Sequence, residues 1–354
     1  MKNTDIAALI RGFCIELSGK PQIVRCDYES AGPALANAMC VKTQNYDNDE
    51  NISANIRKTY DSWKNTVINS NSKKDGILLP SCISLELNGE QKARYYIDDD
   101  LDSAAKRLLE KNDSPRIAAV SPNRTTIDMA ERSCVVKNRI ALVTGGAQGI
   151  GEEIVRNLAA AGSLVFIADL NLEGAKKLAD DINSAENRTA AIALAVNVSD
   201  EASVAAMFDA VAETAGGLDL CVSNAGVLKA GSVLEQELGD FKFVTDINYT
   251  GFFVICKYAG RLLRTQNLTA PSWKTDIVQI NSKSGLEGSN KNGAYAGGKF
   301  GGLGLVASYA MELVEYNIKV NAICPGNFLD GPLWSHPEKG LFVQYLNTGK
   351  VKGA

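Results

Sequence analysis

Tyr295 and Lys299 lie four positions apart and are the pair of side chains in this sequence best suited to proton transfer. Residues at this spacing share one face of a helix, so the lysine ammonium would lie near the phenol. A cation there favours the phenolate and brings the tyrosine pKa down from about 10 toward a useful value. Ser282 precedes Tyr295 by 13 residues, where its hydroxyl can meet the same substrate oxygen. The three residues predict acid–base chemistry at the oxygen of an alcohol or a carbonyl group.

A glycine-rich turn at residues 144–151 (TGGAQGIG) predicts a dinucleotide site, because it follows a strand and opens a helix. Its glycines let the turn close and let backbone N–H groups approach a pyrophosphate at the helix N-terminus. Asp169 ends the next predicted strand, where a carboxylate accepts hydrogen bonds from ribose hydroxyls and repels a 2′-phosphate. Because residues 145–151 include no Arg or Lys, NAD is favoured over NADP. A helix-capping role for Asp169 is the alternative.

Composition excludes several other classes of function. The 354 residues include one histidine, His336, so a metal site built on several imidazoles cannot be formed, and no metal is predicted. The 37 basic and 41 acidic residues give a net charge of −4, without the basic footprint of a nucleic-acid partner. No apolar run approaches the roughly 20 residues that cross a membrane. Eight cysteines, with no C-x-x-C pair and no export signal, predict unpaired thiols and a cytoplasmic location.

The chain divides into two regions of different composition, with a predicted boundary near residues 125–137. Residues 1–137 hold 5 of the 31 glycines. The N-terminal region, residues 1–130, is predicted to be a smaller α+β domain of unassigned type. Its acidic run at residues 98–102 is interpreted as a helix cap, since it lacks the spaced ligands of a calcium loop. The expected elements are helices at 4–18, at 52–68 and after the acidic run, and strands at 77–87 and 93–97 around the turn Asn88-Gly89.

Strand and helix patterns alternate from residue 139 onward. Strands separated by helices imply right-handed crossovers and a parallel sheet that is covered on both faces. Small residues at Ser223-Asn-Ala-Gly226, after the fourth strand, permit a ligand to enter the crevice at the switch point of the sheet. The predicted fold class is α/β, a Rossmann-type doubly wound parallel sheet. Its strands are expected at residues 139–144, 164–168, 190–196, 218–222, 277–280 and 318–323.

Residues 138–354 resemble the short-chain dehydrogenase/reductase family in the order and spacing of their motifs. The matching motifs are TGGAQGIG, Asp169, SNAG, Asn248 within DINYTG, Ser282, YAGGK at 295–299, and Cys324-Pro-Gly326. The resemblance implies an NAD-binding domain that transfers a hydride directly between carbon centres, which requires no metal. It also implies a homodimer or homotetramer formed through the helices at 240–265 and 295–316.

The resemblance assigns roles to individual residues. Tyr295 would be the catalytic acid/base, and Lys299 would lower its pKa and hold the nicotinamide ribose. Ser282 would polarise the substrate oxygen, and Asn248 would hold a proton-relay water. The substrate would contact Ser282, Lys283, Tyr295 and Asn327. The cofactor would contact Gly145, Gln148, Gly149, Ile150, Gly151, Asp169, Leu170, Asn197, Val198, Asn224, Ala225, Gly226, Tyr295, Lys299, Pro325 and Gly326.

A finer resemblance concerns the substrate. Residues 280–285 (INSKSG), 299–302 (KFGG) and 326–333 (GNFLDGPL) resemble sorbitol-6-phosphate 2-dehydrogenases and the dehydrogenase half of bifunctional aldolase/dehydrogenase proteins. This resemblance implies a polyol or sugar phosphate as substrate, within carbohydrate metabolism. Lys283 would meet a substrate phosphate or hydroxyl, or would be a solvated lysine. Residues 1–137 contain no histidine, so the zinc chemistry of such an aldolase is not expected there.

Two functional hypotheses follow. The leading one is an NAD-dependent dehydrogenase that acts on a small alcohol or ketone. The alternative is a non-catalytic NAD-binding or assembly module. Family members usually continue for several tens of residues past the loop that begins at Pro325, so the dehydrogenase domain is expected to be truncated at its C-terminus. His336 is interpreted as a surface residue in the loop after Pro332.

Overall fold

The computed structural model describes residues 3–27, 38–43, 49–70, 77–87, 90–112, 116–118, 135–327, 335–338 and 340–347. The predicted turn at Asn88-Gly89, Pro332 and most of the predicted boundary region lie outside these ranges. Among the helices that it describes, none is long and apolar enough to cross a membrane.

The N-terminal region is an α+β unit, as expected. Its helices are α1 (Asn3–Ser18), α2 (Asp49–Ser70) and α3 (Leu101–Glu110). Its strands are β1 (Ile23–Asp27), β2 (Met39–Thr43), β3 (Ile77–Leu79), β4 (Cys82–Leu87), β5 (Glu90–Asp98) and β6 (Arg116–Ala118). One sheet has the order β1-β5-β4-β2, and β3 pairs with β6. Phe13, Ile56 and Tyr95 lie in a hydrophobic cluster whose buried residues all come from this region.

The acidic run in this region caps a helix, as the sequence predicts. The Asp100 side chain accepts a hydrogen bond from the Ser103 N–H at 2.8 Å, which satisfies a donor of the first turn of α3. Asp98 forms an ion pair with Arg107 on the same helix. At the other end, Lys111 takes the left-handed conformation and closes α3 with backbone bonds to Arg107 and Leu108.

The second region carries a parallel sheet of the order β12-β11-β10-β7-β8-β9. Its strands are β7 (Ile140–Thr144), β8 (Leu164–Asp169), β9 (Ala191–Ala195), β10 (Leu220–Ser223), β11 (Thr275–Ile280) and β12 (Ile318–Ile323). All residues of β7 are buried, because the strand lies inside the sheet and helices cover both faces. The predicted Rossmann-type fold is confirmed.

Helices connect these strands and continue beyond the sheet. They are α4 (Gly149–Ala160), α5 (Leu172–Glu186), α6 (Glu201–Ala215), α7 (Leu238–Thr245), α8 (Gly251–Thr269), α9 (Gly293–Leu313) and α10 (Leu341–Asn347). A π-helical turn, Asp246–Thr250, joins α7 to α8. The strand order reverses between β7 and β10, so the loops that follow these two strands flank the crevice where doubly wound folds bind ligands.

The two regions are packed tightly against each other. Ala8 and Ile23 lie in the same hydrophobic cluster as Ile140 of β7. Helix α1 approaches α8 so closely that a Cβ on Gly12 would stand 2.0 Å from the carbonyl oxygen of Gln266. The Thr269 hydroxyl donates to the Leu9 carbonyl at 2.7 Å. The division of the chain into domains at residues 130–138 therefore stays a prediction.

Candidate active site

The glycine-rich turn takes a backbone path that requires its glycines. Gly145 and Gly149 have φ values of +62° and +58°, in the left-handed region that favours glycine. At Gly151, a Cβ would stand 2.0 Å from the Gly145 carbonyl oxygen. The turn is thus folded onto the first residues of α4, whose N-cap residue, Gln148, makes no side-chain capping bond. This geometry leads the N-terminus of α4 into the crevice beside β7.

The SNAG segment after β10 is bonded to this turn across the switch point. The Asn224 amide nitrogen donates to the Thr144 carbonyl at 3.1 Å and to the Gly145 carbonyl at 2.9 Å. The Thr144 hydroxyl accepts from the backbone N–H groups of Asn224 and Ala225 at 3.1 and 3.2 Å. Asn224 and Ala225 therefore shape the floor of the cofactor crevice through their contacts with the turn. Gly226 follows and is exposed.

Asp169 lies at the carboxyl end of β8 with both carboxylate oxygens oriented. One oxygen accepts from the Ala147 N–H of the glycine turn at 3.0 Å, and the other accepts from the Asn171 N–H at 2.9 Å. Each oxygen keeps further acceptor capacity for a ribose hydroxyl. Asn171, rather than Asp169, caps α5, because its side chain accepts from the Gly174 N–H at 3.0 Å. The glycine turn, the uncapped start of α4 and this carboxylate fit a nicotinamide dinucleotide.

The other predicted cofactor residues lie along the same edge of the sheet. Leu170 is 78% exposed. The Asn197 side-chain oxygen accepts from the Ser199 N–H at 3.1 Å, and Val198 is buried. Pro325, before Gly326, accepts from the Lys283 N–H at 3.0 Å, which joins this loop to the segment after Ser282. The predicted contacts of all these residues with the cofactor, including those of Ile150 and Gly326, remain predictions.

Ser282 begins a short 3₁₀ turn directly after β11. Its hydroxyl oxygen accepts from the Ser284 N–H at 3.1 Å. It also interacts with the Tyr295 phenol and lowers the pKa of that phenol. Burial acts more strongly in the opposite direction, so the pKa of Tyr295 is raised overall. The hydroxyl and the phenol are thus neighbours, and the prediction that both meet one substrate oxygen stays a prediction.

Lys299 lies beneath the Tyr295 ring, one turn further along α9. Its ammonium nitrogen is 5.5 Å from the ring centroid and donates to the Ile280 carbonyl at 2.8 Å. Burial lowers the pKa of Lys299 to about 8, and the Cys324 thiol opposes this shift. Ser282, not Lys299, provides the interaction that lowers the Tyr295 pKa here. The predicted lowering of that pKa by Lys299 stays a prediction.

Asn248 lies in the π-helical turn between α7 and α8, a distortion that often marks functional sites. Its side-chain oxygen accepts from the Val227 N–H at 2.8 Å, and its amide nitrogen donates to the Val227 carbonyl at 2.7 Å. A Cβ on Gly226 would stand 3.3 Å from the Asn248 oxygen and 3.9 Å from the Lys299 ammonium nitrogen. The structure therefore brings the Asn248 and Lys299 side chains together beside Gly226.

The two other predicted substrate residues, Lys283 and Asn327, are exposed. Lys283 follows Ser282, and Asn327 follows Gly326. His336 is also exposed, and its ring nitrogen Nδ1 accepts from the Glu338 N–H at 3.2 Å.

Two site residues were missed by sequence reasoning. Asn281 is buried and contacts the main chains of Ser282 and Lys299; its position directly before Ser282 was the available signal. Tyr345 on α10 interacts with the Tyr295 phenol, which together with burial raises the Tyr345 pKa. No sequence spacing connects Tyr345 with Tyr295, because the chain between them forms α9 and β12 before it returns.

Comparisons with known proteins agree with this arrangement. The profile of the short chain dehydrogenases matches residues 139–336, more than half of the chain. The sorbitol-6-phosphate 2-dehydrogenase of Escherichia coli (strain K12) is 36% identical over 215 residues, which are 61% of this chain and 80% of that protein. The D-threitol dehydrogenase of Mycolicibacterium smegmatis is 32% identical over 215 residues, which are 60% of this chain and 80% of that protein.

A solved structure gives the same result. The crystal structure of the sorbitol-6-phosphate 2-dehydrogenase SrlD from Erwinia amylovora is similar with a TM-score of 0.52 and 41% sequence identity, over 55% of this chain and 73% of that chain. The family match, the parallel sheet and the Ser–Tyr–Lys geometry lead to one assignment. The chain belongs to the short-chain dehydrogenase/reductase family, whose members are oxidoreductases that use nicotinamide cofactors.

Proposed function

We propose that this protein is an NAD-dependent oxidoreductase that transfers a hydride between nicotinamide and a secondary alcohol or ketone. The observation that carries the proposal is the placement of the Lys299 ammonium 5.5 Å from the Tyr295 ring, with Ser282 close enough to the phenol to lower its pKa. These groups offer a hydroxyl, a transferable proton and a positive charge at one position beside the cofactor crevice. The nicotinamide, when bound, supplies or accepts the hydride.

Each residue has a defined task in this proposal. During alcohol oxidation, the phenolate form of Tyr295 takes the hydroxyl proton of the substrate while Ser282 donates a hydrogen bond to the substrate oxygen. During carbonyl reduction, Tyr295 returns that proton to the oxygen. Lys299 stabilises the phenolate by its charge. Asn248 orients the loop at Val227 through two hydrogen bonds, and we propose that it orders a water beside Lys299.

We propose NAD rather than NADP as the cofactor. Asp169 presents a carboxylate at the end of β8, where a 2′-phosphate would meet a like charge. The glycine turn has no basic side chain to neutralise that phosphate. Parallel binding titrations with NADH and NADPH test this proposal, and tighter binding of NADPH would contradict it.

We propose a polyol or a sugar phosphate as the substrate. The support is the similarity to the sorbitol-6-phosphate 2-dehydrogenase and the D-threitol dehydrogenase. The test is NADH formation across polyols, polyol phosphates and simple secondary alcohols, with Tyr295→Phe as the control. Turnover of a polyol at least 100-fold above Tyr295→Phe is expected, since a positioned acid–base group contributes about 10²–10⁴-fold. NAD binding without turnover of any substrate would instead favour a non-catalytic NAD-binding module.

Lys283 is our candidate for distinguishing phosphorylated from free polyols. It is exposed, and its N–H bonds to Pro325 at the crevice wall. Lys283→Met is expected to raise KM for the phosphorylated substrate about tenfold, because a charged hydrogen bond contributes about 1.5–3 kcal/mol. KM for the free polyol is expected to stay unchanged. An equal effect on both substrates would rule out a phosphate-binding role.

We also propose self-association through α7, α8 and α9. These helices expose large apolar side chains, an unusual feature for a surface without a partner; they include Phe241, Phe243, Phe253, Phe300 and Met311. The α1 helix already covers the C-terminal end of α8, so the open part is the N-terminal end. Sedimentation analysis is expected to show a dimer or tetramer that Phe253→Asp dissociates. Among the described residues, Cys221, Cys256 and Cys324 are free thiols, and the cytoplasmic location stays a proposal.

A further inference from the structure

Asn281 is a buried amide that bonds two parts of the candidate active site at once. It is 3% exposed and lies between β11 and Ser282. Its Nδ2 donates to the Lys299 carbonyl oxygen at 3.0 Å and to the Gln279 side-chain oxygen at 2.7 Å. Its Oδ1 accepts from the Ser282 N–H at 2.8 Å. One side chain therefore joins the main chain of Ser282 to the main chain of Lys299.

The surrounding backbone leaves room for this amide. A Cβ on Gly285 would stand 2.3 Å from the Asn281 Oδ1, and a Cβ on Gly302 would stand 3.1 Å from its Nδ2. A Cβ on Gly285 would overlap the Asn281 oxygen, and a Cβ on Gly302 would be closer to the Asn281 nitrogen than an ordinary van der Waals contact. Any larger residue at Gly285 would thus displace the amide or the helix α9. Asn281 is matched to its site by shape as well as by hydrogen bonding.

Lys299 is hydrogen-bonded to the carboxyl end of β11 through both its side chain and its main chain. Its ammonium donates to the Ile280 carbonyl at 2.8 Å, and its own carbonyl accepts from Asn281 at 3.0 Å. Tyr295 lies one turn earlier on the same rigid helix. The position of the phenol relative to the Ser282 hydroxyl is therefore fixed by the contact between β11 and α9, which Asn281 makes directly.

We propose that Asn281 is a positioning residue that sets the register between Ser282 and the Tyr295–Lys299 pair. This inference rests on the proposed function, because it assigns a role in the same acid–base site. Asn281 does not touch the reacting atoms in this account. It acts by keeping the serine hydroxyl and the phenol within hydrogen-bond distance, and a misplacement of about 1 Å in such a site costs about 10²-fold in rate.

The decisive variant is Asn281→Asp. It keeps an oxygen for the Ser282 N–H but replaces the donor that serves Lys299 and Gln279 with a second acceptor. The matched control is Asn267→Asp. Asn267 lies on α8 and contacts Thr275 at the first residue of β11. Asn267 is 4% exposed, and its Nδ2 donates to the Thr275 hydroxyl at 3.2 Å and to the Tyr316 carbonyl at 2.8 Å. The control removes equivalent buried donors without a bond to Ser282 or Lys299.

Two measurements are made on the full chain. One is the kcat and KM of polyol oxidation. The other is the phenol titration of Tyr295 in protein labelled with [¹³C]tyrosine, with the resonance assigned through Tyr295→Phe. Asn281→Asp is expected to lower kcat about 100-fold with little change in KM. It is also expected to raise the Tyr295 pKa by about one unit, because the interaction with Ser282 is lost and a negative charge is added. Asn267→Asp is expected to change neither quantity.

The outcomes separate this inference from the proposed function. Equal effects of the two variants would overturn the positioning role. If wild-type protein turns over no substrate, the proposed function fails, yet the titration still decides the inference: an unchanged Tyr295 pKa in Asn281→Asp overturns it. If Asn281→Asp does not fold, Gly302→Ala replaces it. Alanine favours the helix, and its Cβ would stand 2.6 Å from the Gln279 amide nitrogen and 3.1 Å from the Asn281 amide nitrogen, so it displaces both side chains. A kcat and a Tyr295 pKa unchanged by Gly302→Ala would likewise overturn the inference.

Discussion

Burial acts in opposite directions on the two ionisable side chains of the active site. It raises the pKa of the Tyr295 phenol and lowers the pKa of the Lys299 ammonium to about 8. The interaction with Ser282 opposes the first shift. At neutral pH the protein therefore holds a protonated phenol above a charged lysine. This state suits Tyr295 to donate a proton to a carbonyl oxygen.

The pH dependence of ketone reduction tests this residue-scale picture. Tyr295 stays protonated through neutral pH because its pKa is raised, so the acid needed for reduction is present there. Lys299 loses its charge as pH rises through about 8. We expect kcat/KM for reduction to be constant below that pH and to fall about tenfold per unit above it. A profile that stays flat well above pH 8 would contradict the assigned role of Lys299.

At the scale of elements, α10 closes one side of the site. Its Gln344 side-chain oxygen accepts from the Ala230 N–H at 3.2 Å, in the loop that follows the SNAG segment. Gly231 in turn forms a bridge with Asn292, directly before α9 begins. Through these contacts α10, the loop after β10 and the start of α9 meet near Tyr295. The next residue, Tyr345, interacts with the Tyr295 phenol.

Gln344→Leu tests the contribution of α10. The variant removes the acceptor for the Ala230 N–H, and one hydrogen bond contributes about 0.5–1.5 kcal/mol. We expect KM for the polyol to rise about three- to tenfold while NADH affinity is unchanged, because Tyr345 of α10 interacts with Tyr295, where the substrate is proposed to bind. Asn347→Leu, an exposed position on the same helix, is the control. Equal KM values for the two variants would show that α10 does not order the substrate site.

At the scale of the whole molecule, a buried ion pair joins the two regions. Arg11 of α1 donates to Asp219 at 2.7 Å, and both side chains are fully buried. Asp219 also accepts from the Ile140 N–H and the Trp273 indole, both at 2.8 Å. Burial raises the pKa of Asp219, but the charges of Arg11 and Arg139 and the hydrogen bonds from Arg11 and the Ile140 N–H outweigh burial and hold that pKa below its usual value. The N-terminal region thus supplies the cation for a carboxylate at the amino ends of β7 and β10.

Arg11→Leu is expected to lower the free energy of unfolding by about 3–5 kcal/mol, because it leaves Asp219 buried without its cation. The double variant Arg11→Leu/Asp219→Asn should recover part of that loss. Chemical denaturation of both proteins measures the difference. Lys106→Ala, which breaks an exposed pair with Glu110, is the control and should change stability by at most about 0.5 kcal/mol. Equal losses for Arg11→Leu and Lys106→Ala would refute the structural role of Arg11.

The pH dependence of that contribution has a definite sign. The pKa of Asp219 is lower in the folded protein than in the unfolded chain, so the folded state binds fewer protons. The stabilisation is therefore present above the ordinary carboxyl pKa of about 3.9 and is lost as pH falls through the folded value. Denaturation midpoints of wild-type protein and Asp219→Asn should converge under acidic conditions. A constant difference at all pH values would show that Asp219 contributes through packing alone.

Local pattern was sufficient to predict the dehydrogenase fold and to select the residues of the candidate site. The alternation of strands and helices predicts the parallel sheet, because buried strands and amphipathic helices leave distinct periodicities. The glycine turn, Asp169, Ser282, Tyr295 and Lys299 are local to strand ends or to one helix face. Their mutual approach follows from the rule that parallel strands present their carboxyl ends at one edge.

Only the tertiary structure decided the contacts between distant segments. Arg11 meets Asp219 across more than two hundred residues, and Asn281 meets Lys299 through the packing of β11 on α9. Neither contact has a periodicity or a fixed spacing in the sequence. The sequence by itself determined the sheet, the cofactor turn and the acid–base residues, since each depends on neighbours along the chain. The tertiary structure decided how the N-terminal region packs and which buried amide joins the segments of the candidate site, because those depend on which buried polar groups meet when the chain closes.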